Sequence, residues 1–147
     1  MLYESKKDRE REARAMQCLS QFFNRPFRKA PSKYHIDFFT VDKGCICEHK
    51  YRDYSVLDFK RLGGVWLEVV KYKYLITLAK RRGDIPLFVV SLRTGEVIYA
   101  DVRQVDTTRT EVAQRAVYRC ANDADPCYVV PLSLFRVAKR KEKSEDH

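Results

Sequence analysis

The sequence predicts a mixed α/β fold, with a central mixed β-sheet flanked by helices on both faces. Three observations carry this reading. Near the N-terminus, Ala15, Met16, Leu19, Phe22 and Phe23 recur at helical spacing among mostly charged positions. From Tyr34 to Lys50, two short runs rich in apolar and β-branched residues flank Asp42-Lys43-Gly44, a hairpin signature. The run Ile85 to Leu92 is continuous, short and apolar, the pattern of a buried strand.

Taken in order, the first helix is expected over residues 4–23. Glu12 lies one turn before Met16 and two before Leu19, at the N-terminal end of the apolar stripe. On the helix alone it reads as a solvated acid at the stripe's border. The next stretch, 24–31, holds Pro26 and Pro31 and reads as a connection. Arg25, Arg28, Lys29 and then Lys33 interleave there with Phe27, which suits a nucleic-acid backbone and base and equally suits a solvated loop. After the hairpin the chain is mixed and basic, with Arg52, Lys60 and Arg61. Ser55 is a cap for a short helical turn there, and Gly63-Gly64 breaks it. Val65 to Arg82 reads as one long core helix, apolar on most sides. Lys80, Arg81 and Arg82 sit at the negative end of its dipole, and Gly83 is the stop signal. After the strand Ile85 to Leu92, Thr94-Gly95 makes a turn into an alternating strand, Glu96 to Val102. Thr107 to Arg119 is expected to be helical, Asn122 to Pro126 a turn, Tyr128 to Val130 a short strand, and Pro131 to Val137 a final helical turn. Lys139 to His147 has the composition of a frayed, charged tail.

At 147 residues the chain fits one domain with a real core, and 45% hydrophobic and 12% aromatic content excludes a disordered protein. Lys and Arg number 29 against 20 Asp and Glu, a net charge of +9. That excess favours an anionic partner, nucleic acid before a membrane surface, over a merely basic surface. No apolar run is long enough to span a bilayer, and the N-terminus lacks a signal-peptide core, so a cytoplasmic location is expected. The five cysteines are an odd number without a secretion signal, which argues for reduced thiols. Cys45-x-Cys47 with His49 is the core of an alternative zinc site, but alternate strand positions lack the usual knuckle spacing.

The hairpin carries the chemistry. Glu48 and Lys50 share a strand face, and the His49 side chain turns away. Asp37 joins that face if the loop has an even number of residues, such as Lys43-Gly44 or Asp42 to Cys45; an odd loop puts it on the other side. Two carboxylates on adjacent strands offer hard oxygen ligands for Mg²⁺ or Mn²⁺, and the His49 backbone carbonyl offers another. Such a metal supports an attacking water and offsets charge at a phosphate. A lysine two positions after the glutamate orients or deprotonates that water. An ordinary cross-strand ion pair on a solvent face explains the same three residues equally well.

Taken together, the chain resembles the PD-(D/E)XK nuclease superfamily, specifically its small phage-type members, from Glu12 to Phe135. The residues that carry the resemblance are Glu12 leading Ala15, Met16 and Leu19; Tyr34-His35-Ile36-Asp37; Glu48-His49-Lys50 followed by Arg52; Leu67-Glu68 with Lys71 and Leu75; the strand Pro86 to Leu92; and Val130-Pro131-Leu132 before Phe135. The resemblance implies a restriction-endonuclease-like core, with residues 1–138 as one nuclease-like domain and 139–147 as the tail. It implies that Asp37 and Glu48 bind the metal, that Lys50 is the catalytic lysine, that Glu12 is an auxiliary acid, and that Lys71 faces the active site from the helix after the motif. Isoleucine stands before Asp37 in place of the motif's proline. The superfamily core has three strands before its second helix where two are clear, so a first strand has to lie near Phe27 to Ala30 or be missing.

The expected function is therefore a metal-dependent endonuclease hydrolysing phosphodiester bonds, in DNA rather than RNA, in a bacterial or phage-infected host cell. A homodimer is compatible with two cuts on one substrate. The basic clusters at Arg25, Arg28, Lys29, Lys33, Arg52, Lys60, Arg61, Lys80, Arg81 and Arg82 are candidates for phosphate contacts. A non-catalytic nucleic-acid-binding protein on a nuclease fold is the alternative, and an interaction protein with an acidic partner is a third.

Overall fold

A computed structural model describes residues 5–109, 111–112 and 126–139. The first element, α1 (Lys6–Phe23), starts at a capping box. The Ser5 hydroxyl accepts from the Asp8 N–H at 3.0 Å and the Asp8 carboxylate accepts from the Ser5 N–H at 3.4 Å, which satisfies two otherwise orphaned donors. Asn24, in the left-handed region, ends it. The connection that follows contains β1 (Phe27–Lys29), the strand that was not evident from periodicity. The hairpin is β2 (Phe38–Thr40) and β3 (Cys45–Arg52). Its first strand starts later than the apolar run. Ser32–Tyr34 forms a 3₁₀ turn and His35 is left-handed, which breaks extended backbone ahead of Asp37.

Ser55 caps α2 (Val56–Leu62) through a second capping box with Asp58, and Gly63 closes that helix at φ 81°. The expected long helix from Val65 divides in two: β4 (Gly64–Glu68) and α3 (Val69–Arg82). Val65 and Leu67 are buried while Trp66 and Glu68 are half-exposed, a period of two that a helix cannot present. Nor is α3 apolar all round, since only Leu75 and Ala79 are buried on it. The chain then runs through β5 (Ile85–Leu92), β6 (Val97–Asp101), β7 (Glu111–Val112), β8 (Pro126–Pro131) and β9 (Phe135–Lys139). The expected helix over Thr107 to Arg119 fails where it is described, with a turn at Thr107-Thr108 and strand at β7; residues 113–119 lie outside the described part. Likewise the expected helical turn after Pro131 is confined to a 3₁₀ turn, Leu132–Leu134, before β9. Lys139 pairs with Val97 in that strand rather than beginning a tail. Of the expected turn at Asn122 to Pro126, Pro126 is strand and the rest lies outside the described residues, as do 140–147.

The main sheet has six strands in the order β1-β2-β3-β5-β6-β9, with β3 and β5 parallel and every other pair antiparallel. This is a mixed sheet, and its two faces hold separate cores. On one, α1 lays Ala15 and Leu19 over Phe38, Cys45, Cys47, Leu87 and Val89. On the other, Leu75 and Ala79 of α3 meet Ile46, Phe88 and Val90. A three-stranded sheet, β4-β8-β7, adds Val65, Leu67 and Val130 to that second core. Each fully buried Leu, Val or Phe contributes roughly 1.5–3 kcal/mol of burial, so both faces are firmly held. Gly64 is required by this layer: a Cβ there would lie 2.5 Å from the Val130 carbonyl of β8. No helix among the described residues is long and apolar enough to cross a membrane.

Candidate active site

Strand register brings the acidic residues together. Phe38 pairs with Cys47 and Phe39 with Ile46, so one step further Asp37 stands opposite Glu48. The same register leaves a four-residue loop, 41–44, which is even and meets the condition for a shared face. Either of the loops considered from sequence would have set Asp37 opposite Lys50 instead.

Asp37 is fixed from three sides. Its N–H donates to the Cys47 carbonyl at 2.9 Å, and its own carbonyl accepts from Ala30 N–H at 2.9 Å. Its carboxylate accepts from the His49 N–H at 2.6 Å. Because β2 has ended there, the side chain takes over the ladder bond that a further β2 residue would have made. The N–H and C=O of one strand residue point to the same flank. The His49 carbonyl therefore faces the same gap, beside Asp37. Just upstream, the His35 ring stacks on Tyr74 of α3 with centroids 4.6 Å apart, tying this loop to that helix.

Glu48 is 2% exposed. Its Oε2 lies 3.1 Å from the Lys71 Nζ and 3.8 Å from the Lys50 Nζ. Burial and then the neighbouring Asp37 charge push the Glu48 carboxyl up to about 7, against the pull of the two ammonium groups. Burial pushes Lys50 below the usual lysine range, with the Glu48 carboxylate opposing. Burial acts the same way on Lys71, but there Glu48 more than offsets it and holds the ammonium above its ordinary value. The His49 ring is on the α1 face, with Nε2 2.8 Å from the Ser91 Oγ. Burial, then Lys50 and Arg52, push it down to about 4, so it is a neutral structural group near neutral pH.

Glu12 comes from α1. It is buried on α1 and its Oε2 accepts from Lys29 Nζ at 3.2 Å, on the face of the sheet opposite Lys71. It is not a solvated acid, which the helix alone implied. Among the described residues no three His, Cys, Asp or Glu side chains converge as a ready cage for a cation. That applies equally to Cys45, Cys47 and His49, whose thiols instead lie buried under α1 with their pKa values raised by burial. Mg²⁺ does not need such a cage, since it keeps several waters and takes one or two carboxylates.

The basic candidates divide by location. Arg25 donates to the Lys43 carbonyl at 2.6 Å and so braces the hairpin loop. Lys29 is on Glu12, and Arg52 reaches the Trp66 carbonyl at 3.3 Å. Arg82 lies 2.6 Å from the Asp84 carboxylate, which also accepts from the Gly44 N–H at 2.9 Å. Arg28, Lys33, Lys60, Arg61, Lys80 and Arg81 are exposed. Ten residues of α3 separate Lys71 from Arg81, about 15 Å along the axis, so Lys80 to Arg82 occupy the far end of that helix. Sequence reasoning missed Ser91 and the His35–Tyr74 stack. Neither has a local signal, because each depends on a partner from another element.

Comparison with known proteins bears on the fold and the family. The structure is similar to that of Archaeoglobus fulgidus Hjc, a Holliday junction resolvase from an archaeal hyperthermophile, with a TM-score of 0.52. The likeness covers 80% of this chain and 88% of that one at 14% identity, and it establishes a restriction-endonuclease-like fold. No curated protein matches the sequence. A family model described as phage putative PDDEXK endonuclease matches residues 1–138. With that match over nearly all of its length, the chain belongs to the phage PDDEXK endonuclease family.

Proposed function

We propose that this protein is a divalent-metal-dependent endonuclease that hydrolyses phosphodiester bonds in DNA. The observation that carries the reading is the convergence of Asp37, Glu48, Lys50 and Lys71 at the point where β2 ends beside β3. The donor set suits a hard cation: two carboxylates on paired positions, with the His49 carbonyl beside Asp37. Asp37, Glu48 and the His49 carbonyl would hold Mg²⁺ or Mn²⁺, which supplies Lewis-acid charge at the phosphate and a more acidic water. Lys50, half-buried and close to Glu48, orients the attacking water and offsets charge that develops on the phosphate. Lys71 neutralises Glu48 from the other side and faces the scissile phosphate. Glu12 acts at one remove, by holding Lys29 against the sheet edge near Asp37. The likeness to a Holliday junction resolvase supports a branched substrate, and a homodimer would then supply two cuts.

The test is nicking and linearisation of plasmid DNA in Mg²⁺ and in Mn²⁺, beside Asp37→Ala and Lys50→Ala. The wild type is expected to cut and both variants to bind without cutting. A wild type that binds DNA but cuts nothing in any divalent metal overturns the reading.

A further inference from the structure

Directly behind the candidate site, on the α1 face, lies a groove of about 280 Å³. Its cations come from three separate parts of the chain: Arg11 and Arg14 from α1, Arg93 from the β5–β6 turn, and Lys139 from the end of β9. Among the described residues no carboxylate lines it. Its floor includes Tyr51 and Ser91, which are paired in register on β3 and β5. The Arg11 guanidinium lies 3.6 Å over the Tyr51 ring, which leaves a ring and several cations around one small depression. Neighbouring acids offset part of this charge. Arg11 is 3.6 Å from Asp8, and Arg93 is 3.7 Å from Asp53 and 3.5 Å from Asp58. Arg14 is exposed and makes no ion pair among the described residues.

The position of the groove matters more than its charge. Tyr51 follows Lys50 on the same strand, and alternation puts one on each face of the sheet. His49 joins the two sides, with its ring on Ser91 and its N–H on Asp37. A strand of nucleic acid that passes over the C-terminal ends of β3 and β5 meets the catalytic group on one face and the groove on the other. Duplex DNA has a persistence length of about 150 bp and does not fold around the edge of a single sheet. A single strand does.

We propose that this groove binds a phosphate of a single-stranded arm a few nucleotides from the cut, so that the enzyme's substrate is DNA with a single-stranded flap or gap at the cleavage point. The proposal rests on the endonuclease reading for the word substrate, but the groove itself is testable by binding alone.

Binding is measured by fluorescence anisotropy in the Asp37→Ala background, with a blunt duplex and with the same duplex carrying a single-stranded flap. Arg14→Ala/Arg93→Ala is compared with its parent across a salt series. Thermal unfolding of each variant verifies the fold, and Arg14→Glu alone serves as a second probe at an exposed helix position. Loss of that one single-strand phosphate contact reduces the slope of log K against log salt by about 0.7. The expected result is that reduction, with about tenfold weaker binding, for the flap substrate and little change for the blunt duplex. Flaps bearing 5′-phosphate or 5′-hydroxyl separate a terminal phosphate from an internal one. Only a phosphate-dependent loss moves the site to the strand end and overturns the internal-arm assignment. Equal losses on flap and duplex, or no loss on either, overturn the proposal. If instead the groove behaves as expected while the wild type cuts neither substrate, the endonuclease reading fails and the groove stands.

Discussion

The two faces of β3 make different environments from one strand. Towards α1 it presents Cys45, Cys47 and the His49 ring, all in an apolar layer with Ala15, Leu19 and Val89. Burial keeps the thiols protonated and the imidazole neutral, so β3 itself puts no charge into this face. Towards α3, the same strand presents Ile46, then Glu48 and Lys50, with Lys71 arriving from α3. Here charge is retained at depth, although a lone buried carboxylate would cost several kcal/mol. The difference teaches that β3 turns its charged side chains to α3 and its packing side chains to α1, and that Lys50 and Lys71 are what makes a buried Glu48 tolerable.

The comparison is open to attack in four ways, taken from the largest expected effect to the smallest. On the proposed mechanism Lys50→Ala removes a charge that acts in the transition state, so the cutting rate should fall by about 10²–10³ while DNA affinity changes only a few-fold. Single-turnover cleavage beside anisotropy binding checks this, and equal losses in both would contradict it.

The second concerns pH. Glu48 has its folded pKa raised from 4.5 to about 7, so between these values the folded state holds a proton that the unfolded chain has lost. The contribution to stability is full below about pH 4.5 and is lost as pH rises through about 7, by roughly 3 kcal/mol at most. Urea unfolding in chelator across that range should show stability falling with pH, and Glu48→Gln should flatten the slope. A wild type whose stability rises through the same window would sink the assignment.

The third probes the quiet face. Cys47→Ser puts a hydroxyl into a fully buried apolar layer and should destabilise the fold by about 1–3 kcal/mol while cutting by the folded fraction is unchanged. A loss of turnover without a loss of stability would mean that the α1 face takes part in the chemistry. The smallest effect is at the far end of α3. Lys80→Ala/Arg81→Ala should change cutting at physiological salt by less than about twofold, because both are exposed and distant from Lys71. A large loss would extend the nucleic-acid track along the whole helix.

Much of the fold is legible because its signals are local. The α1 stripe, the Ser55 cap, the apolar run of β5 and the break at Gly83 each follow from a few neighbouring residues. What is not legible involves competition between local patterns. Val65 and Leu67 fit a helix as well as a strand when read alone, and it is the pairing of Val65 with Val130 that selects the strand. Likewise β1 is only three residues long between prolines, too short to show a period, and exists because β2 is beside it. The site divides in the same way. Asp37, Glu48 and Lys50 stand out by residue type and spacing, whereas the pairing of Glu12 with Lys29 and the groove of Arg11, Arg14, Arg93 and Lys139 join distant parts of the chain.

By itself the sequence singled out the candidate site residues and the strand that bears them, because alternation puts Glu48 and Lys50 on one face whatever surrounds them. Only the tertiary structure decided that Asp37 faces Glu48, since that depends on a loop of four residues and a register set by both cores. It also decided that Lys71 closes on the same carboxylate and that Glu12 pairs with Lys29, because α3 and α1 pack on opposite faces and so meet different partners.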